Sequence, residues 1–152
     1  MVDFKALSSN QKFALDVLIP LFYFLPLAVA WFRPKNFGFG YPALVPVVLG
    51  IGLIGLGLWI VATLHLGKAL AVLPGSDILV AKGVYKWLRH PMYMGILFTL
   101  LGLMVACGSL FGLIYIFVVV IPLNIVRAHL EEKALLEKFG DRYQTYLQST
   151  WF

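Results

Sequence analysis

The side chains able to do chemistry in this 152-residue chain gather in two short stretches, each at the end of a long apolar run. The first runs from Gly83 to Gly95 and holds Tyr85, Lys86, Trp87, Arg89, His90, Pro91 and Tyr93. The second is Arg127, Glu131 and Glu132. Pro91 has no N–H to leave unpaired and its fixed φ suits a first helical turn, so a helix is expected to start there. Arg89 and His90 then stand at the positive end of that helix, which favours a carboxylate or a phosphate. The glutamates offer partners for a cation. An amino-acid headgroup, with its ammonium and its carboxylate, finds both kinds of partner where the two stretches meet.

The elements between them decide that they meet. Met92 to Cys107 and Leu110 to Val126 are apolar, and only Gly108 and Ser109 separate them. Two helices joined by so short a turn must run antiparallel side by side. Arg89, His90 and Tyr93 therefore face Arg127, Glu131 and Glu132. Each arm has about 16 or 17 residues, the lower limit for crossing a bilayer. Pro122 is expected to kink the second arm where Asn124 and Arg127 introduce polarity.

The rest of the chain is greasy. At 61% hydrophobic and 12% charged, with a mean hydropathy of +0.90, it is too apolar for a water-soluble globule and reads as a polytopic membrane protein. The single Cys107 excludes an internal disulfide and a cysteine-based metal cluster, and no metal site is expected. The net charge of +5 is scattered over the flanks of the apolar runs, which speaks for membrane topology and against nucleic acid.

Phe13 to Phe32, preceded by capping candidates Ser8, Ser9 and Asn10, reads as a first span. Lys12 and the Ala28-Val29-Ala30 sequence resemble a cleavable signal peptide, but three more apolar runs follow and Trp31 and Phe32 extend the segment like an interfacial belt. A turn-rich loop over 33–42 leads to a second span, Ala43 to Leu64. Within it Gly50, Gly52 and Gly55 spell a dinucleotide fingerprint without the preceding strand or the following acid that the fold needs. Close helix packing explains them better, with Gly50 and Gly57 on one face and Gly52 and Gly55 on another. Residues 65–89 form a polar connection with a turn at Pro74 to Asp77 and a short apolar piece, Ile78 to Val80. His65 and His129 receive no chemical role.

Beyond Ile125 the pattern becomes an amphipathic helix reaching Phe139, stopped by Gly140, and Asp141 is expected to cap a short last helix. Tyr143, Tyr146 and Leu147 share one face of it. With Trp151 and Phe152, this tail is expected on the membrane interface, or as a cover over the connection around Pro74. The chain thus reads as all-α: four transmembrane helices, a C-terminal helical hairpin and a cytosolic amphipathic tail. Residues 1–64 form an N-terminal two-helix membrane region and residues 65–152 the region carrying the chemistry. With four spans, all of the 12 Lys and Arg except Arg33 and Lys35 fall on the side of the termini and the 65–91 connection. The positive-inside rule makes that side cytoplasmic, so both termini and the active site are expected in the cytosol and the protein in the cytoplasmic membrane.

The linked pattern Gly83-x-Tyr85, Arg89-His90-Pro91-x-Tyr93-x-Gly95, Arg127 with Glu131-Glu132, and Phe139-Gly140-x-x-Tyr143-x-x-Tyr146 resembles the isoprenylcysteine carboxyl methyltransferase and phospholipid methyltransferase superfamily. The likeness covers roughly residues 64 to 147; the family's usual proline between glycine and tyrosine is Val84 here. The resemblance implies an integral-membrane enzyme using S-adenosylmethionine. It implies cofactor binding by Tyr85, Arg89, His90, Pro91, Tyr93, Gly95, Glu131 and Glu132, and catalytic work near the acceptor by Arg127 and Glu131. The acceptor implied is lipophilic: a prenylcysteine-like carboxylate, a phospholipid headgroup or a small thiol. Methyl transfer from a sulfonium rests on alignment and exclusion of water, and only an amine or neutral thiol acceptor needs a base, for which Glu131 or His90 is at hand. A membrane sterol-type reductase with NADPH is the competing enzyme, disfavoured by the linked motifs and the short chain. A non-catalytic membrane scaffold is the third reading.

Overall fold

The computed structural model describes residues 9–32, 43–67 and 78–151, with side chains from Leu18 on. The 33–42 loop, the turn at Pro74 to Asp77, Ser8 and Phe152 lie outside the described residues. Five helices carry the architecture: α1 (Ser9–Phe32), α2 (Leu44–Leu66), α3 (Pro91–Ala106), α4 (Leu110–Phe139) and α5 (Asp141–Ser149). A 3-10 turn, Gly83–Lys86, precedes α3. Among the described residues there is no strand.

Pro91 opens α3 as expected, and it is buried. The turn between α3 and α4 is tight: Ser109 N–H donates to the Met104 carbonyl at 2.9 Å, and the Ser109 hydroxyl accepts from Gly112 N–H at 3.1 Å, capping α4. Around Pro122, α4 is continuous over 30 residues rather than broken. It widens into a π segment over Ile116–Val120, just before Pro122. A proline has no N–H for the ladder, and a wider turn relieves the misfit by inserting one residue. One residue turns every later side chain by about 100°. Gly112, Ile116, Val120 and Asn124 form the buried stripe of α4, and Arg127 and Glu131 follow it at helical spacing.

Among the described residues, packing of α2 on α3 is the most extensive contact. It rests on small residues: a Cβ on Gly55 would lie 2.7 Å from Thr99 N, and one on Gly95 2.6 Å from Trp59 N. Such backbone approach is how helices associate where no hydrophobic gain separates protein from lipid. Gly52 and Gly55 carry this face, whereas Gly50 and Gly57 meet nothing within 4 Å, so only one of the two expected glycine faces is a contact. On the other side α1 packs on α4 and α3, and Tyr23 joins Leu100, Met104, Ile116 and Val120 in the buried core.

Two helices, α2 and α4, are long and apolar enough to cross a membrane; 18–32 of α1 and all of α3 are shorter apolar helices. Outward faces stay greasy: Ile54 is 74% exposed and Val118 66%. A soluble protein does not leave so many large apolar side chains bare along whole helices. The chain is an integral membrane protein.

Gly140, at φ 52°, ends α4 where expected. Asp141 departs from expectation. It is the first residue of α5, and Gly140 occupies the cap position, with no side-chain cap bond.

Candidate active site

The hairpin brings the two polar stretches together. His90, at the N-terminal edge of α3, puts Nε2 3.1 Å from Glu132 Oε1, and its Nδ1 lies 3.9 Å from Glu131 Oε2. Arg89 Nη1 reaches the same Glu132 oxygen at 3.6 Å. Tyr93 donates to Glu131 Oε2 at 3.1 Å and its ring stacks on His90, with centroids 5.5 Å apart. Arg127 lies over the other part of this assembly, its guanidinium carbon 5.4 Å from the Tyr93 ring centre. One glutamate thus serves an arginine and a histidine, and the other a tyrosine and the same histidine. Gly95 sits apart from these groups, at the contact with α2.

Helix α5 closes the outer side. Tyr143 and Tyr146, one turn apart, are both buried. The Tyr146 hydroxyl donates to the Tyr85 carbonyl at 2.7 Å. Arg89 Nε donates to the Thr150 hydroxyl at 3.0 Å and Nη2 to the Leu147 carbonyl at 3.3 Å, while Trp151 N–H bonds the Trp87 carbonyl at 3.1 Å. The tail therefore turns its tyrosines onto the Tyr85 to Arg89 segment. Only Trp151 of its described aromatics stays exposed. Burial is the first cause that raises all three phenols: Tyr85, with Glu131 adding; Tyr143, with Glu132 and Glu131 adding; and Tyr146, pushed up to about 12 with Arg89 opposing. Near neutral pH they act as neutral hydrogen-bonding groups.

His65 and His129 each donate from Nδ1 to the carbonyl four residues earlier, Val61 and Ile125, at 2.8 Å. The His65 ring also packs against Gly83, whose φ of 61° and missing Cβ let the chain pass beneath it. Sequence reasoning missed that contact, as it missed Thr150; neither has a local signal.

Two hollows flank the cluster. The one under α5, between Tyr85, Arg89, His90, Glu131, Tyr143 and Tyr146, holds about 30 Å³. The other, about 350 Å³, lies between α1, α2 and α3 and is lined mainly by apolar groups such as Phe24, Leu27, Trp59 and Leu103. Tyr93 and Arg127 line it too. Among the described residues no group of three or more His, Cys, Asp or Glu is arranged to hold a metal ion.

A family model described as phospholipid methyltransferase matches residues 45–142, a span that includes every residue of the polar cluster and leaves out α1 and most of α5. No curated protein and no solved structure matches the chain.

Proposed function

The chain belongs to the phospholipid methyltransferase family, part of the superfamily of integral-membrane methyltransferases that includes the isoprenylcysteine carboxyl methyltransferases, and we propose that it uses S-adenosylmethionine to methylate a lipophilic acceptor. One observation carries the reading: Tyr93 and Arg127 belong both to the charged cluster and to the wall of the apolar cavity. A polar cofactor on one side and a greasy acceptor on the other would meet across these two side chains. We take α1 to α4, the last up to Val126, as four membrane spans, with this meeting point at the cytosolic end of the bundle. The region after residue 64 holds the reacting groups, and the first 64 residues supply membrane walls.

The donor set suits the cofactor's amino-acid part. Glu131 and Glu132 take an ammonium; Arg89 and His90 take a carboxylate. Tyr85 and Tyr93 provide walls, while Pro91 and Gly95 hold the start of α3 in place. The hollow of about 30 Å³ has room for roughly one water, so it must widen for a nucleoside-sized ligand to enter. When bound, the cofactor supplies a methyl group activated as a sulfonium. Arg127 then holds an anionic acceptor group at interface depth, and Glu131 removes a proton where the acceptor is an amine or a neutral thiol.

The test is a calorimetric titration of the detergent-solubilised protein with S-adenosylhomocysteine and with NADPH. S-adenosylhomocysteine is expected to bind near 1 μM, about −8 kcal/mol, and NADPH not at all. Binding of NADPH alone would establish the sterol-type reductase instead. Binding of neither would leave a scaffold.

A further inference from the structure

Every side-chain nitrogen of Arg89 already has a partner. Nε donates to the Thr150 hydroxyl at 3.0 Å, Nη2 to the Leu147 carbonyl at 3.3 Å and the Thr150 carbonyl at 3.5 Å, and Nη1 faces Glu132 Oε1 at 3.6 Å. Nε and Nη2 form one edge of the planar guanidinium, a fork that matches the two oxygens of a carboxylate. Tail oxygens fill that fork, from the Thr150 side chain at one prong and from the backbone at the other.

Thr150 is oriented for this contact. It is only 7% exposed, at the cap position after α5, and its hydroxyl proton goes to the Tyr146 carbonyl at 3.0 Å. A hydroxyl has one proton and two lone pairs, so the oxygen meets Arg89 as an acceptor. The same element keeps the hollow small. Tyr143 and Tyr146 of α5 line its 30 Å³ together with Arg89, His90 and Glu131. The bonds from Tyr146 to the Tyr85 carbonyl and from Trp151 N–H to the Trp87 carbonyl draw the tail in further. One element thus takes both the group that suits a ligand carboxylate and the room that a ligand needs. An ionised acceptor bonds a guanidinium more strongly than a neutral oxygen does, so a carboxylate can displace the tail.

We propose that residues 147–150 are an intramolecular stand-in for a carboxylate: docked, they cap Arg89 and keep the hollow shut, and a ligand carrying a carboxylate opens the site by taking the Nε and Nη2 edge from them. Thr150 is a positioning residue of the closed state, and the tail competes with the ligand instead of clasping it. That S-adenosylmethionine is this ligand rests on the function proposed above; the competition for Arg89 does not.

Two measurements on the full chain in detergent test this. Hydrogen–deuterium exchange over 147–151, which includes the Trp151 N–H bonded to Trp87, is followed with saturating S-adenosylhomocysteine, with L-methionine in large excess, and with an equal concentration of 3-(methylthio)propylamine, which lacks only the carboxylate of methionine. Exchange is expected to quicken with the first two and to stay unchanged with the amine. By calorimetry, Thr150→Val, which keeps the shape and removes the acceptor, should tighten S-adenosylhomocysteine about tenfold, the worth of one bond to a charged group. Thr150→Ser, which keeps the hydroxyl, should match the parent within about twofold. So should Thr145→Val, whose exposed hydroxyl bonds the Asp141 carbonyl within α5. Slower exchange with S-adenosylhomocysteine would make the tail a cover that closes on its ligand and overturn the proposal. Unchanged exchange with both carboxylates, or an unchanged or weaker affinity in a folded Thr150→Val protein, would overturn it as well. If that variant does not fold, exchange in the parent decides. Failure of S-adenosylhomocysteine to bind, while methionine still frees the tail, would sink the cofactor reading and leave the competition standing.

Discussion

Glu132 is the residue on which the polar cluster turns, since Arg89 and His90 both approach its Oε1. Its carboxylate is about a third exposed, which places its worth at the lower end for charged hydrogen bonds. Glu132→Gln is expected to weaken S-adenosylhomocysteine about tenfold by calorimetry, and an unchanged affinity would remove the residue from the site. His129→Ala is the matched control, expected within twofold, because that ring is bonded within its own helix. Gly83 is a second sensitive position. A Cβ there would be strained at φ 61° and would run into the His65 ring. Gly83→Ala should lower stability by about 1–3 kcal/mol, seen as a lower melting temperature in detergent. Adding His65→Ala should restore part of the loss, and strictly additive losses would show that the two do not couple.

Between elements, the closest contact is α2 on α3, and it is one-sided. Gly55→Leu should drive the helices apart and lower the melting temperature, whereas Gly57→Leu should change it little, since nothing lies within 4 Å of Gly57. Equal effects would mean that the glycines do not set the contact. Docking of α5 depends on a neutral phenol. The Tyr146 hydroxyl must keep its proton to donate to the Tyr85 carbonyl, and its pKa is pushed up from 10.0 to about 12 by burial first. A raised folded pKa means a contribution that is whole below pH 10 and lost as pH rises through about 12. Trp151 emission, with the other tryptophans replaced by phenylalanine, should report release of the tail over that window. A Tyr146→Phe protein should lack the step, and the same step in both proteins would assign it to another group.

At the scale of the whole molecule, lipid-facing helices carry the cluster at one end of the bundle, where the hairpin's open end, the 3-10 turn and α5 converge. Topology can be checked there. In a Cys107→Ser background, a cysteine at Gln144 is expected to resist a membrane-impermeant maleimide added to intact cells and to react after lysis. Labelling from outside would reverse the orientation. On the proposed orientation, the cluster would open to a water-borne cofactor and the cavity between the helices to acceptors dissolved in lipid. Neither solvent alone supplies both.

Much of this was legible in the residues. Hydropathy and the two-residue turn at Gly108 and Ser109 determined that α3 and α4 pair, and pairing forces His90 and Tyr93 against Glu131 and Glu132, because chain connectivity leaves those ends no other place. Pro91 and Gly140 marked helix ends by local backbone chemistry, which needs no tertiary context. What the tertiary structure decided lies in contacts between distant segments. The glycine spacing in α2 presents two faces, and only the partner helix decides that Gly52 and Gly55 are used while Gly50 and Gly57 are not. Pro122 signalled a disturbance in α4, yet the insertion of one residue over Ile116–Val120, which sets where Arg127 points, depends on how the helix packs. Tyr23 and Thr150 are ordinary members of their helix and tail until α1 meets α4 and the tail meets Arg89. A hydrogen bond across 101 positions leaves no periodic trace, since periodicity records which face of one element is buried and says nothing of which atom waits opposite.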